Sequence, residues 1–270
     1  MRGALMLFVP AGVVAAAQPL TSRAIAITGV TVSGVTVVIR EGRIASSGAS
    51  ATVPRDAAVI DGHGKFLMPG LWDMHVHLGF ARASAFPAFV ANGVTGVRDL
   101  GGDLSEIDRW RNEIAAGSRV GPLIVRAGPM LVGEAPLRFQ VLIQTPEEGR
   151  DTVQRLYAAG VEKIKVKSMP RAAYFAIAAE ARALGLPVTG HIPQTVTPEE
   201  ASDAGQSVEH VSTLFDGTFT SVRRGKDVNP EIALWRATDE ALALFQRFVR
   251  NGTFVDPTLV PFERDRKSVV

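Results

Sequence analysis

The pattern of hydrophobic and polar positions changes at about residue 68. Between residues 24 and 60, short runs rich in Val, Ile and Thr are punctuated by Gly and partly alternate with polar positions, which is typical of a small antiparallel β unit. After the breaker Met68-Pro69-Gly70, strand-like runs alternate with helical stretches, and this favours parallel βα units. The strand-like runs cover residues 71–78, 94–99, 122–128, 161–167, 186–192, 207–211 and 253–260.

Start and stop signals place helices between these runs. Capping boxes with Pro at the first helical position begin at Thr145 and Thr197, and an Ala-rich helix is expected to end at Gly185. We predict an α/β fold, a (β/α)8-type TIM barrel lacking its eighth strand, because seven runs stand where a closed barrel needs eight strands. The predicted domains are a signal peptide at 1–17, a small β domain at 18–67 and an incomplete barrel at 68–270.

Composition narrows the possible functions. The 270 residues are 46% hydrophobic and 21% charged, which is ordinary for a globular protein with a sizeable core. The formal net charge is +2 and no basic block stands out, so we expect no nucleic-acid partner. Because the chain has no cysteine, disulfides, thiolate metal ligands and a thiol nucleophile are excluded.

The N-terminus predicts export. Arg2 is followed by an apolar stretch that ends in three alanines at residues 15–17, the layout of a secretory signal peptide. Pro10 interrupts this stretch, which is also shorter than the ~20 residues of a transmembrane helix. We expect a periplasmic or secreted protein with no stable membrane insertion after signal cleavage. An uncleaved anchor is the alternative, and a homo-oligomer is left open.

Four of the five histidines lie at the ends of strand-like runs: His75, His77, His191 and His210. The first two share one face of a strand, because successive side chains alternate. In a (β/α) barrel, the C-terminal ends of the strands carry the active site, and neutral imidazole is the commonest metal ligand. The pattern therefore predicts a metal centre, whereas His63, in a turn-like segment, is interpreted as a polar loop residue.

The string DGHGKFLMPGLWDMHVHL resembles the entry to the barrel in the amidohydrolase superfamily, with matches at Asp61, Gly64, Pro69, Gly70, Asp73, His75 and His77. GVTGVRDLGG and GPLIVRAGPML are similar to the second and third strands of its imidazolonepropionase-like and Xaa-Pro dipeptidase-like branch. VEKIKVK, VTGHI and SVEHV are similar to the fourth, fifth and sixth strands. The resemblance covers about residues 25–260, and it implies a C-terminally truncated member.

The resemblance implies a centre of two divalent metal ions. His75 and His77 would bind the deeper ion, His191 and His210 the second, and a carboxylated Lys165 would bridge them. Zinc is the default for imidazole and carboxylate-type ligands, with manganese or cobalt as alternatives.

The bridging lysine has to be carboxylated, because an ammonium group has no acceptor for a cation. Lys163, Lys165 and Lys167 alternate onto one face of their strand, so the spacing does not choose among them. The position in the motif favours Lys165.

The implied reaction is hydrolysis of a C–N bond in an amide, peptide or cyclic amide by a metal-activated hydroxide. The substrate would be a small molecule or a short peptide. The family places an aspartate after the eighth strand, and no residue here matches it. The catalytic base is therefore unassigned, with Asp256 the one carboxylate near the seventh strand end. Arg98 and Asp99 are expected beside the site, as substrate-side groups or as an ion pair.

Two other functions stay open at this stage. One is a mononuclear deaminase of the same superfamily, which uses the His-x-His motif without a bridging lysine. The other is a truncated, inactive fragment. Metal stoichiometry separates the first alternative from a two-metal hydrolase.

Overall fold

A computed structural model describes residues 5–6, 23–30, 35–214 and 238–258. They belong to two compact units. The first joins the described chain up to Trp72 with Phe86–Gly96 and Glu113–Leu123. The second joins Asp73–Ala85, Val97–Asn112 and the described residues from Ile124 onward. Nearly all of the predicted signal peptide, and the last two residues of the predicted strand at 253–260, lie outside the described residues.

The first unit contains a four-stranded sheet in the order β4-β3-β2-β5. Its strands and the short antiparallel pair β1 and β6 are β1 (Leu5–Met6), β2 (Ile25–Val30), β3 (Val35–Arg40), β4 (Arg43–Gly48), β5 (Ala58–Asp61) and β6 (Met68–Pro69). β3 runs antiparallel to β2 and to β4, but β5 runs parallel to β2. The prediction of a purely antiparallel unit is therefore wrong for β5, because the chain between β4 and β5 crosses the sheet instead of forming a hairpin.

The remaining strands build the α/β part of the chain. They are β7 (Leu71–Val76), β8 (Val94–Asp99), β9 (Leu123–Arg126), β10 (Met130–Val132), β11 (Gln140–Leu142), β12 (Ile164–Val166), β13 (Val188–Gly190), β14 (Gln206–Glu209) and β15 (Val255–Asp256). The first three form one sheet in the order β7-β8-β9, and the others form a sheet in the order β11-β10-β12-β13-β14-β15. Every neighbouring pair of this second sheet is parallel, as the alternation of strands and helices predicts.

Every predicted strand run contains a strand, but the third one stops earlier than its similarity to GPLIVRAGPML indicates. β9 ends before Gly128, which has φ +73°, and Pro129 cannot donate to a strand ladder. The chain resumes as β10 and is followed by β11, which the sequence reading does not predict. β11 has only three residues, fewer than a strand pattern needs to be recognised.

The helices are α1 (Leu78–Ala81), α2 (Phe86–Ala91), α3 (Leu104–Ala115), α4 (Pro146–Ala158), α5 (Arg171–Ala183), α6 (Pro198–Asp203) and α7 (Asp239–Asn251). Both predicted capping boxes are confirmed, with the Thr145 and Thr197 hydroxyls accepting hydrogen bonds from backbone amides of the first turn. In the part of the chain that the structure describes, no helix combines the length and apolar character needed to cross a membrane.

The core of the second unit lies between its parallel strands and the helices α4 and α5. Ile164 and Val166 of β12 are fully buried, as are Val153 of α4 and Tyr174 and Ile177 of α5. This packing fixes β12 and its neighbours in place. The polar residues of these strands are consequently held on a rigid support.

Candidate metal centre

The four predicted imidazoles lie next to one another in the second unit. His75 lies within β7 and His77 directly after it, whereas His191 and His210 directly follow β13 and β14. The ring centroids are 5.2 Å apart for His75 and His77, 4.6 Å for His75 and His210, and 4.7 Å for His191 and His210. Three separate strands thus bring four imidazoles into one cluster.

Two unusual backbone conformations place the later histidines. His210 has φ +64°, a left-handed conformation that costs a non-glycine residue about 1–3 kcal/mol and that clusters at functional sites. Because of this turn, Glu209 and His210 both reach the cluster, although neighbouring residues of a strand point to opposite faces. Before His191, Gly190 has φ +146°, and a Cβ atom there would lie 2.0 Å from the Val166 carbonyl oxygen.

Lys165 differs from its two neighbouring lysines. Its side chain is fully buried, and its Nζ has no hydrogen-bond partner among the residues that the structure describes. Burial lowers the pKa of Lys165 to about 7. Lys163 is only partly buried, and Lys167 donates a hydrogen bond to Glu134 at 2.8 Å. A buried amine without an acceptor is costly, so Lys165 occupies a position that packing alone does not favour.

The imidazoles of His77, His191 and His210 are neutral at physiological pH. Burial, with the nearby His75 as the second cause, lowers the pKa of His77 and of His210 to about 4. Burial also lowers the pKa of His191 to about 2, with the charge of Lys165 as the next cause. Neutral imidazole is the form that binds metal ions, so the cluster is ready to bind a cation without losing protons.

The same pKa shifts predict acid sensitivity of the metal-free protein. These imidazoles take up protons more readily in the unfolded chain, whose histidine pKa is about 6.5, than in the folded one. The free energy of unfolding should therefore fall as the pH decreases from about 6.5 towards 4. We expect urea denaturation in the presence of a chelator to show this slope, and His191→Gln to flatten it.

The control for this experiment is His63→Gln, which changes an exposed residue of the first unit. It leaves the buried cluster intact, so the slope that the cluster produces should be retained. An equal slope in His191→Gln and the parent would contradict the assignment of the acid sensitivity to the buried cluster.

Glu209 is a site residue that the sequence analysis misses. Its side chain is fully buried, with Oε2 2.8 Å from His75 Nδ1. Oε1 accepts hydrogen bonds from Arg98 Nη2 and Thr189 Oγ1, each at 2.5 Å. Burial by itself would raise the pKa of Glu209, but the hydrogen bond with His75 and the charge of Lys165 bring it below its usual value. A carboxylate inside the apolar string SVEHV is the signal that could have identified it.

Asp256 lies at the edge of the same cluster. Its Oδ2 is 3.5 Å from Arg98 Nη2, and its side chain is 20% exposed, whereas that of Glu209 is not exposed at all. Ligand-type atoms of His75, Glu209 and Asp256 all lie within 4.8 Å of one another. Asp256 is therefore a carboxylate that both faces the cluster and reaches solvent.

Arg98 and Asp99 have separate partners. Arg98 makes its ion pairs with Glu209 and Asp256. Asp99 accepts hydrogen bonds from the backbone amides of Leu78, at 2.7 Å, and Gly101, at 3.4 Å, and burial raises its pKa to about 6. The expected ion pair between Arg98 and Asp99 is wrong, because adjacent strand residues point to opposite faces. Asp99 instead fixes the turn after His77.

Two phenylalanines extend the cluster on the side of His77. The ring of Phe80 lies edge-on at 6.3 Å from the His77 ring, and Phe139 lies 5.4 Å from Phe80. The Arg138 guanidinium sits 4.4 Å from the centre of the Phe139 ring. The polar cluster thus has an aromatic surface beside it.

The chain has recognisable relatives among known proteins. No protein-family model matches the chain. Over 43 residues, 16% of this chain and 10% of the relative, it is 48% identical to a dihydroorotase of Anaeromyxobacter dehalogenans (strain 2CP-C). Among solved structures, a putative prolidase from Bifidobacterium longum is 27% identical, with a TM-score of 0.61 over 70% of this chain and 55% of the prolidase.

Two more distant structures show the same fold. The A. niger ochratoxinase is 20% identical, with a TM-score of 0.66 over 91% of this chain and 67% of the ochratoxinase. A Xaa-Pro dipeptidase with bound methionine in its active site is also 20% identical, with a TM-score of 0.63 over 88% of this chain and 67% of the dipeptidase.

The predicted resemblance to the amidohydrolase superfamily is confirmed by the putative prolidase and by the short match to a dihydroorotase, and the more distant structures share the fold. All of the relatives named above are hydrolases. The chain spans little more than half of the prolidase and a tenth of the dihydroorotase.

Proposed function

We propose that this chain carries the metal centre of an amidohydrolase-superfamily enzyme that hydrolyses a C–N bond. The observation that carries the proposal is the convergence of four imidazoles in the unit that also holds the buried, unpartnered amine of Lys165. The prolidase and dipeptidase among the structural neighbours favour a short peptide or another amide as the substrate.

The residues present fit two divalent cations, and we propose zinc. His75 and His77 would hold one ion, and His191 and His210 the other. Lys165, carboxylated on Nζ, would bridge them. A pKa of about 7 leaves much of this amine unprotonated at neutral pH, the form that can add carbon dioxide. Carboxylation would convert the buried amine into a carbamate, whose two oxygens carry the negative charge and can accept a cation, and the burial of an amine here supports this proposal.

When bound, such cations lower the pKa of a water molecule and polarise a substrate carbonyl. The protein side chains supply the rest of the chemistry. Asp256 is partly exposed to solvent and lies beside His75. We therefore propose that Asp256 accepts the proton that the attacking water loses. The same proton can then pass to the leaving amine, and the products are a carboxylate and a free amine.

The proposal also covers the fold around the site, the domains of the chain and the location of the protein. We propose that the parallel strands belong to a TIM-type barrel, and that the chain divides into a signal peptide at 1–17, a β domain at 18–67 and barrel sequence from residue 68. Export to the periplasm or outside the cell follows from the N-terminal pattern. The aromatic surface formed by Phe80 and Phe139 suits an apolar substrate group next to His77.

The proposal is tested by hydrolysis of a panel of dipeptides and N-acyl amino acids. The zinc-loaded chain should release free amine, lose this activity in a chelator and regain it on addition of zinc. His191→Asn should abolish the activity, since it removes a ligand, and the exposed His63→Asn should retain it. Amine release that survives both chelation and His191→Asn would contradict the proposal.

Two other outcomes would identify the alternatives. Ammonia release with about one metal ion per chain would favour the mononuclear deaminase. A chain that binds its metal ions but turns over no substrate in the panel would favour the inactive fragment.

A further inference from the structure

We propose that Glu209 is a positioning residue of the metal centre. By accepting the hydrogen bond of His75 Nδ1, Glu209 fixes the tautomer in which His75 Nε2 is free to bind a cation. Arg98 and Thr189 hold Glu209 in the orientation that this requires. The inference rests on the proposed function to the extent that His75 binds a metal ion.

The tautomer follows from the chemistry of the pair. Glu209 Oε2 lies 2.8 Å from His75 Nδ1, and an ionised carboxylate can only accept hydrogen bonds. His75 Nδ1 therefore carries a proton, which leaves Nε2 as the nitrogen that can offer a lone pair to a cation. A metal-binding histidine commonly donates its other ring N–H to a carboxylate in this way, and the carboxylate orients the ring and strengthens the ligand.

Both oxygens of Glu209 are committed, which keeps the carboxylate from rotating. Oε1 accepts from Arg98 and from Thr189, while Oε2 serves His75. Arg98 is itself anchored, because its Nε donates to the Met74 carbonyl oxygen at 2.5 Å. Met74 is the neighbour of His75 on β7, so the guanidinium fixes Glu209 relative to the strand that carries the imidazole.

The network joins one residue from each of four strands: His75 on β7, Arg98 on β8, Thr189 on β13 and Glu209 on β14. A buried carboxylate is costly unless charged and hydrogen-bonded partners compensate. Glu209 has these partners in His75, Arg98 and Thr189. The hydrogen bond that Glu209 accepts from His75 accounts for a carboxylate at this buried position.

A competing role for Glu209 is direct ligation of a cation together with His75 and Asp256, whose ligand-type atoms are close enough. The position of Arg98 argues against it. Its Nη2 lies 2.5 Å from Glu209 Oε1 and 3.5 Å from Asp256 Oδ2. A fixed positive charge between the two carboxylates opposes a cation at that point, whereas it stabilises Glu209 as an acceptor for His75.

The test uses the full chain with Glu209→Ala, Glu209→Gln and Thr189→Val. The control is Glu162→Gln, which removes a carboxylate that binds Arg111 at 2.8 Å and is not part of the cluster. Two quantities are measured. One is the zinc dissociation constant, by competition with a chromophoric chelator. The other is the His75 tautomer in the metal-free protein, from ¹⁵N chemical shifts of the imidazole ring.

We expect Glu209→Ala to weaken zinc binding about 10–100-fold and to release His75 from the Nδ1–H tautomer. Glu209→Gln keeps an acceptor oxygen, so it should restore the tautomer and most of the affinity. Thr189→Val, which removes one anchor of Glu209, should have a smaller effect in the same direction. The control should match the parent in both measurements.

Parental zinc affinity and an unchanged His75 tautomer in Glu209→Ala would overturn the positioning role. A loss in Glu209→Gln as large as in Glu209→Ala, with the tautomer preserved, would also overturn it and indicate direct ligation. If Glu209→Ala does not fold, Glu209→Gln and Thr189→Val still provide the comparison. Failure of the parent to bind zinc would refute the proposed function, while the tautomer of the metal-free variants would still decide the role of Glu209.

Discussion

Lys165→Met should make the metal-free protein more stable. The Lys165 amine is fully buried and has no hydrogen-bond partner within the described part of the chain. Replacing even paired buried charges with apolar groups of similar volume often stabilises a protein by about 1–4 kcal/mol. Urea denaturation in the presence of a chelator should show this gain at pH 7. Lys167→Met is the control, because Lys167 makes only a partly exposed ion pair with Glu134, and its loss should change the stability by less than about 1 kcal/mol.

The pH dependence of this gain has a definite sign. Burial lowers the pKa of Lys165 from 10.5 to about 7, so above pH 7 the unfolded chain binds a proton that the folded chain does not. The free-energy cost of burying the Lys165 ammonium is present in full below the folded pKa and disappears as the pH rises through about 10.4. The stability advantage of Lys165→Met should therefore shrink between pH 7 and pH 10. An advantage that grows over this range would contradict the assignment.

The same substitution should prevent binding of the two metal ions that we propose. We expect the zinc content of Lys165→Met to fall to one ion per chain or less and the hydrolytic activity to be lost. Bicarbonate should assist zinc loading of the metal-free parent but not of the variant. Gain of stability and loss of metal in one variant would show that the amine is kept for function.

Gly190→Ala should be among the most destabilising single substitutions in the second unit. Gly190 has φ +146°, and a new Cβ atom would lie 2.0 Å from the Val166 carbonyl oxygen and under 3 Å from two further backbone atoms. Since β12 and β13 are paired at this point, the clash cannot be relieved by a side-chain rotation. We expect the free energy of unfolding to fall by about 3 kcal/mol or more, and zinc binding through His191 to weaken.

Gly185→Ala provides the matched control. Gly185 also has a positive φ, of +70°, but a Cβ atom there would meet nothing within 4 Å. Its substitution should cost only the strain of the left-handed backbone, about 1–2 kcal/mol. Equal losses in the two variants, measured by urea denaturation, would show that the close contact with Val166 is not what requires glycine at residue 190.

Much of the fold is predictable because its signals are local. The capping boxes at Thr145 and Thr197 mark helix starts correctly, and each apolar run contains a strand. The parallel pairing of β5 with β2 is not predictable in this way, since it depends on which way a loop crosses the sheet. The sequence does not predict β11, because three residues are too few to show the alternation of apolar and polar positions that marks a strand.

The parts of the site that depend on residue type and on position along a strand can be predicted from the sequence. Histidines at the ends of apolar runs give the cluster, and the structure brings all four together. Glu209 is missed because strand alternation assigns it to the face opposite His210, and the left-handed backbone at His210 breaks that rule. Arg98 pairs with Glu209 and Asp256 and Asp99 binds the backbone after His77, and such contacts across strands are not encoded in local sequence.

The central claim is that the four imidazoles and Lys165 form one centre for two metal ions. The most direct measurement is the zinc content of the purified full chain after equilibration with zinc and bicarbonate and removal of the excess. The account predicts two zinc ions per chain, at most one in Lys165→Met, and none in a variant that lacks His75, His77, His191 and His210. A parent chain that retains no more zinc than the variant without these imidazoles would contradict it.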